Sequence, residues 1–324
     1  MLKPTLNQLK ILQTVAEEGS IVRAADRLHL TPPTLSIQLS KLADHLGAPL
    51  YEIVGRRVEL TGAGRDTIAA AQAIHQELGL LEQRLAARAG IERGRLQVAA
   101  VSTAESILPR LIGAFQNEHP GLQIRLKIVP RDELLGRIDR GDDDLYLMTR
   151  PPKREGLLIE AVGVNPLVII AHPSHPWLTE PHHPLSDLGQ QRFVSREMGS
   201  GTHYWIGQWL ASRGIEFAPS LELGSNEAIK QAVMAEHGIA MISLHAVSAE
   251  VKAGQLALLQ LPDVPMPTWW YAVRPTARQT TPAAQAYLDF LKQRWPELDE
   301  SLLELLQARG FPTAHIKKTN AKEY

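Results

Sequence analysis

The sequence predicts an α+β multidomain protein: an N-terminal winged helix-turn-helix, a long linker helix, and a C-terminal α/β domain of two lobes. Three observations predict it. Two short amphipathic helices joined by a tight turn precede a hairpin tipped by Arg56 and Arg57, residues 64–90 form one alanine-rich helical run, and after Gly94 strands alternate with helices. The expected bounds are 1–62 for the winged helix, 63–92 for the linker and 93–312 for the two lobes, with a tail over 313–324. Lobe I takes about 93–165 and 268–312, and lobe II about 166–267.

The first helix opens on Thr5-Leu6-Asn7-Gln8, which has the T-x-x-Q form of a capping box, and continues with Leu6, Leu9, Leu12, Val15 and Ala16 at helical spacing. Gly19 ends it. Ser20 can cap a second helix whose inner face is Ile21, Ala24, Ala25 and Leu28; the small alanines allow a close neighbour. Thr31 then caps a third, with Pro32 at the first helical position and Pro33 still in the first turn, where no intrahelical donor is lost. Leu35, Leu39, Leu42 and Leu46 make its buried stripe. Pro33, Thr34, Ile37, Ser40 and Lys41 face outward, flanked by Ser36 and Gln38.

The following hairpin carries Gly55-Arg56-Arg57 at its tip, with Val58 and Leu60 turned inward, and two arginines there suit phosphate contact. The expected DNA contacts are Arg23, Thr31, Pro32, Pro33, Thr34, Ser36, Ile37, Gln38, Lys41, Arg56 and Arg57. A purely structural helical hairpin has the same spacing, and composition does not decide between them. The chain's 324 residues carry a net charge of −1, and residues 1–89 hold 10 Lys/Arg against 9 Asp/Glu. A DNA partner must be recognised by where the charges sit.

In the linker run Ala71, Ile74, Leu78, Leu81 and Leu85 alternate at 3/4 spacing, a coiled-coil-like seam. Ile74, Leu78, Leu81 and Leu85 are the expected dimer contacts; packing on the chain's own domain is the alternative.

Beyond Gly94, "RLQVAAV", "LQIRLKIV" and "DLYLMT" read as strands of a mainly parallel sheet, alternating with helical "AESILPRLIGAFQNEHPG" and "RDELLGRIDRG". A second set follows from "PLVIIAH" to "IAMIS", and "TWWYAVR" with "TPAAQAYLDFLKQRW" returns to the first; the crossings lie near Asn165 and Pro267. Ser102-Thr103 and Gly199-Ser200-Gly201-Thr202 each stand at a helix start, one per lobe, where hydroxyls and free N–H groups suit an anion. Either is equally an ordinary N-cap. Pro130, Thr149, Arg150, Ser200, Gly201, Thr202, His203 and Asn226 join Ser102 and Thr103 as candidate effector contacts.

Asp142-Asp143-Asp144 reads as a solvated turn, and His172, His175, His182 and His183 as part of a proline-rich loop, so neither metal nor cofactor is expected. Trp269-Trp270 should divide into one core ring and one near the lobe interface, and "IKKTNAKEY" reads as a frayed tail. No cysteine is present, which excludes disulfides and thiolate chemistry. No apolar signal core or run of about 20 apolar residues occurs, so a cytoplasmic protein without a membrane partner is expected. No G-x-S-x-G elbow, P-loop or H-E-x-x-H motif occurs. An enzyme would have to rely on Ser102 or Ser200 with His203. A solute-binding module with helices for protein contact is the other competing class.

The stretch "AEEGSIVRAADRLHLTPPTLSIQLSKLADHLGAPLYEIVGRRVELTGAG" resembles the winged helix-turn-helix of the LysR-type transcriptional regulators. Ala24-Ala25, Leu28, Ser36, Gln38, Leu42, Leu46-Gly47, Pro49-Leu50, Arg56-Arg57 and Leu60-Thr61 fall in register with it. The sequence departs from the family pattern at Pro32 (usually Gln), Ile37 (often Arg), Ala43 (Glu) and Ile53 (Arg). The resemblance implies a dimerising linker helix and a two-lobed effector domain of the periplasmic-binding-protein type. It also implies double-stranded DNA with an interrupted palindrome, a homodimer or homotetramer, and RNA polymerase as a further partner.

"VSTAESILPRLIGAFQNEHPGLQIRLKI" and "DDDLYLM" look most like the regulators of Calvin-cycle and inorganic-carbon-uptake operons. That resemblance implies control of carbon-fixation genes and a phosphorylated effector such as a sugar phosphate or phosphoglycolate. Here "VPRDELL" lacks the Asn that group carries before its Arg, and His203 stands where the broader family often has Arg. A non-phosphorylated organic anion is the alternative effector.

Overall fold

The computed structural model describes residues 4–55, 57–88, 94–179, 183–277 and 279–318. The chain divides into two units, Met1–Leu85 and Ala86–Tyr324.

In the first unit, α1 (Leu6–Glu18) begins with the capping box: Thr5 N–H donates to Gln8 Oε1 at 3.0 Å and Gln8 N–H to Thr5 Oγ1 at 3.2 Å. Ser20 caps α2 (Ile21–Arg27), and Thr31 caps α3 (Pro32–Leu46), which starts on the two prolines. The core joins Leu9, Ile11, Leu12 and Val15 of α1 to Ala24 and Ala25 of α2 and to Leu35, Leu39 and Leu42 of α3. The predicted stripe is one residue too long. Leu46 is 44% exposed, because the last turn of α3 runs past the core cluster that holds the other three leucines.

The wing is β1 (Tyr51–Val54) paired antiparallel with β2 (Arg57–Leu60), and Val58 N–H bonds Gly19 O at 3.1 Å, tying it to the end of α1. Helix α4 (Gly62–Arg88) follows.

The second unit runs β3 (Gly94–Val101), α5 (Leu108–Glu118), β4 (Leu122–Val129), α6 (Arg131–Arg140), β5 (Leu145–Met148) and β6 (Leu157–Ala171). It continues with β7 (Val194–Arg196), α7 (Gly201–Ala211), β8 (Leu221–Leu223), α8 (Asn226–Met234), β9 (Ala240–Ser243), α9 (Leu244–Lys252) and β10 (Ala257–Leu258). The chain then forms β11 (Met266–Pro275), α10 (Pro282–Ala308) and α11 (Ala314–Lys318).

The expected mainly parallel sheet is only partly so. Strand β3 pairs parallel with β4 and β5, but β11 pairs antiparallel with β5 and β6, and β9 and β10 antiparallel with β6. The reason is topological. Strand β6 carries the chain out of lobe I and β11 brings it back, so the two crossings run in opposite directions side by side. Their pairing makes one seven-stranded sheet through both lobes. Where they cross, Asn165 Nδ2 donates to Thr268 Oγ1 at 2.9 Å, and Thr268 Oγ1 donates to Asn165 O at 2.6 Å.

Two cores flank this crossing. Lobe I packs Leu96, Phe115, Tyr146, Trp270 and Trp295; lobe II packs Val168, Ile170, Ile206, Ile229 and Ile242. Trp270 is fully buried and Trp269 packs against both clusters.

Three expectations need correcting. Helix α10 does not stop at Trp295: it passes through Pro296, and Leu302, Leu303, Leu305 and Leu306 pack into the lobe II core, so residues 302–312 do not belong to lobe I. A mid-helix proline costs roughly 3 kcal/mol. Burying four leucines offsets that at roughly 1.5–3 kcal/mol each. The tail does not begin at Thr313, since Ile316 is fully buried and His315 Nε2 bonds Pro265 O at 2.9 Å. Nor is the aspartate run solvated: Asp143 is buried, accepting from Arg137 Nε and Nη2 at 2.8 Å each. The six-residue spacing brings Arg137, in the last turn of α6, back over the turn that feeds β5. The carboxylate holds the guanidinium's pKa above its ordinary value, first through that hydrogen bond.

Candidate nucleic-acid surface and anion cleft

On α3 the outward residues form one face. Thr31, Pro33, Thr34, Ile37, Ser40 and Lys41 are exposed, while Pro32, Ser36 and Gln38 are half-buried at its margins. Ile37, at 54% exposure, is the largest apolar group on that face. Gln38 is partly committed, since its Oε1 accepts from Gln8 Nε2 at 3.3 Å. Arg23 donates to Glu18 O at the end of α1, which fixes its guanidinium beside the turn into α2. Arg57 is exposed at the start of β2, and Arg56 lies outside the described residues. On α4, Ala71 is buried in the core of this unit, whereas Ile74, Leu78 and Leu81 are 42%, 40% and 48% exposed. The side chain of Leu85 lies outside the described residues.

In the second unit the parallel strands β4, β3 and β5 deliver their carboxyl ends to one edge. Val101 sits opposite Val129 and Ala100 opposite Leu147, so Ser102-Thr103, Pro130-Arg131 and Thr149-Arg150 emerge side by side. This is the edge of a sheet where ligands collect.

Lobe II answers with β7 and the first turns of α7 and α8. Ser200 Oγ caps α7 through His203 N–H at 3.1 Å. Gly201 marks a close approach: a Cβ there would lie 2.9 Å from Thr149 Oγ1 across the cleft, so that side chain would have to shift. Thr202 is buried. The Arg150 guanidinium lies 3.3 Å from the Tyr204 ring centroid, a second contact between lobes.

Two cationic residues at the cleft were not singled out from the sequence. Arg196, the last residue of β7, is 2% exposed. Its Nη2 donates to Ser102 Oγ at 2.8 Å and its Nη1 to Asn226 Oδ1 at 3.1 Å, joining a lobe I hydroxyl to two elements of lobe II. Arg131 donates to Arg150 O at 3.3 Å, and its shielded Nε has no hydrogen-bond partner among the described residues. Burial, and then the charge of Arg150, push the Arg131 pKa below its ordinary value. Both effects are what an anion between the arginines would relieve.

His203 is oriented inward: its Nδ1 donates to Arg196 O at 3.0 Å and lies 3.3 Å from Ser195 Oγ. A carbonyl only accepts, so Nδ1 carries a proton.

Neither competing enzyme pair assembles. Ser102 Oγ is held by Arg196, Ser200 Oγ caps α7, and the hydroxyl beside His203 belongs to Ser195, which is fully buried. Among the described residues no group of three or more carboxylates and histidines could hold a metal ion, and no helix is long and apolar enough to cross a membrane. His175 and His183 both pack against Trp177, His183 stacking on it at 4.3 Å, while His172 bonds Ser174; His182 lies outside the described residues.

Residues 6–65 match the model of bacterial regulatory helix-turn-helix proteins of the lysR family, and residues 89–296 match the LysR substrate binding domain. A RuBisCO operon transcriptional regulator of Acidithiobacillus ferrooxidans is 40% identical over 287 residues, covering 89% of this chain and 93% of the relative. The regulatory domain of Synechocystis PCC6803 CcmR, solved in complex with 2-PG, is 33% identical with a TM-score of 0.59, over 63% of this chain and 98% of that one. Full-length CbnR, solved with its target DNA, shares the fold at a TM-score of 0.66 and 22% identity, over 89% of this chain and 99% of that one.

Proposed function

The chain belongs to the lysR family of bacterial regulatory proteins, and from that premise we propose that it controls a carbon-fixation operon in response to a small phosphorylated anion, of which 2-phosphoglycolate is the first to test. It binds double-stranded DNA as a homo-oligomer, with α3 in the major groove and the wing on the phosphates. Pro33, Thr34, Ile37 and Lys41 meet the bases, and Arg57 meets the backbone. Ile74, Leu78 and Leu81 join two copies through α4, since exposed apolar groups at seam spacing call for a partner helix.

The observation that carries the effector reading is the arginine set at one cleft: Arg131 and Arg150 at the strand ends of lobe I, and buried Arg196 facing them from lobe II. Ser102, Thr103, Thr149 and the first turn of α7 supply the hydroxyls and N–H groups beside them. Three cations with hydroxyl donors suit a dianionic phosphate that also carries a carboxylate. Closure onto such a ligand changes the lobe arrangement, and a difference in affinity between arrangements is what regulates DNA binding. The protein acts by binding, without turnover.

Two measurements test this. In a gel shift, DNA upstream of the neighbouring operon should be retarded by the full chain, with 2-phosphoglycolate altering the complex. In a thermal-shift panel, phosphorylated metabolites should raise the transition. No retardation at any salt would sink the DNA reading. A panel in which only non-phosphorylated carboxylates raise the transition would replace the effector class.

A further inference from the structure

Arg196 is the most buried cation of the cleft, yet four of its five N–H groups are already engaged within the chain. Nε donates to Glu197 Oε2 at 2.8 Å and Nη2 to Glu197 Oε1 at 2.7 Å, a two-point grip by the adjacent carboxylate. Nη1 serves Asn226 Oδ1 at 3.1 Å, and Nη2 also serves Ser102 Oγ at 2.8 Å and Gly224 O at 3.4 Å. A guanidinium has five N–H groups, so no anion can gain a two-point contact here without releasing a partner.

The partners are not equally easy to release. Gly224 O is backbone, and Asn226 is 7% exposed at the first turn of α8. Ser102 is fixed at the end of β3 by the sheet. The Glu197 side chain is 37% exposed and follows Arg196 directly in the chain, so it can rotate toward solvent and recover hydration. Its carboxylate has the charge and two-oxygen geometry of the acid group an anionic effector would present.

We propose that Glu197 is a resident counter-anion: it occupies Arg196 until the effector displaces it, and so sets the affinity threshold of the cleft. This rests on the reading that the cleft takes an anion. The exchange is one carboxylate for one anionic group, which leaves little net gain for a monoanion such as chloride or acetate. A ligand must bring more, from a second charge or from contacts with Arg131 and Arg150, to bind against a competitor held at high local concentration. Glu197 thereby keeps common monoanions from triggering closure.

The test is calorimetric titration of the full chain and its Glu197→Gln variant with 2-phosphoglycolate, glycolate and inorganic phosphate. A side-chain amide replaces a charge-assisted pair with a neutral one, worth about 1.4 kcal/mol less, so each anion should bind about tenfold tighter to the variant. The factor should be common to the three ligands, because the competitor is removed before any ligand charge is met. Glu197→Asp, which keeps the charge, should stay nearer the parent than Gln does. Unchanged or weaker affinity in Glu197→Gln, with an unchanged thermal transition, would overturn the proposal while leaving the anion cleft standing. The converse result separates the two ideas: phosphate tightens in the variant while 2-phosphoglycolate binds neither protein. That would support the resident anion and discard this effector.

Discussion

Asp299 and His245 converge on the backbone of one residue, Val164, of the crossing strand. Val164 N–H donates to Asp299 Oδ2 at 3.3 Å, and His245 Nε2 donates to Val164 O at 3.0 Å. Burial moves their pKa values in opposite senses: Asp299 rises to about 7, and His245 falls to about 4. Asp299 therefore favours folding below its unfolded value near 3.8, and that contribution is lost as pH rises toward 7. His245 contributes stability above its unfolded value near 6.5, lost as pH falls toward 4. The two slopes oppose each other through the same window, which hides both. Asp299→Asn removes one of them. The variant should melt about 2–4 °C higher than the parent at pH 8, the shift about 1 kcal/mol gives in a domain of this size, and the excess should shrink as pH falls toward 3.8, so that it is smaller at pH 5. Equal melting at both pH values would mean that the carboxyl is not held in a dry site. The same scale shows what sequence could not reveal. Arg196 lies in "FVSREMGSGT" as one polar residue among strand residues, and its partners Ser102 and Asn226 are 94 and 30 residues away. Nothing local distinguishes it from a solvated arginine. The available signal was its place, at a strand end just before a glycine-rich helix start. The Ser200 cap and the place of Ser102 after a strand end were legible because that chemistry is written in adjacent residues. Asp143 was misread because its partner is decided by the fold of α6 over the turn.

At the scale of elements, local chemistry carried the prediction wherever it was sufficient. The caps at Thr5, Ser20 and Thr31 and the proline entry to α3 form as their sequences require. The hairpin pairs with Val54 opposite Arg57. Tertiary burial overrode local signals elsewhere: α10 runs through Pro296, and β6 and β11 pair antiparallel because they are opposite crossings. Gly163 on β6 marks the same crossing, since a Cβ there would lie 1.7 Å from the Trp295 ring, a contact between segments more than a hundred residues apart. The α3 face makes a sharper prediction. Ile37 occupies the middle of it, where an arginine would read guanine through O6 and N7. As an apolar group at 54% exposure it should pack on a thymine methyl. Ile37→Arg should then move the preferred base at one position of each half-site from thymine toward guanine, by about 1–3 kcal/mol in a binding-site selection. An unchanged preference would place Ile37 away from the groove floor.

The whole molecule must reconcile a net charge of −1 with a DNA partner. Residues 1–89 are only one charge positive, so net charge gives a single winged helix little general attraction to phosphates. Affinity has to come from two copies engaging two half-sites, where the second contact is made at high effective concentration. That assigns a mechanical task to α4. Its exposed Ile74, Leu78 and Leu81 are the surface proposed above to join two copies. Leu78→Asp places a charge in the middle of that seam, where a paired helix would bury it beside its own symmetry mate. Sedimentation should show dissociation to monomers, and gel shift on the full palindrome should weaken at least about a hundredfold, as loss of effective concentration requires. Calorimetric affinity for 2-phosphoglycolate should stay unchanged if the proposed cleft is complete in one chain, because Arg131, Arg150 and Arg196 all belong to the other unit. If the variant remains dimeric, α4 is not the joining surface. If it dissociates and also loses the effector, the anion site is completed by a second copy, and the cleft is not self-sufficient.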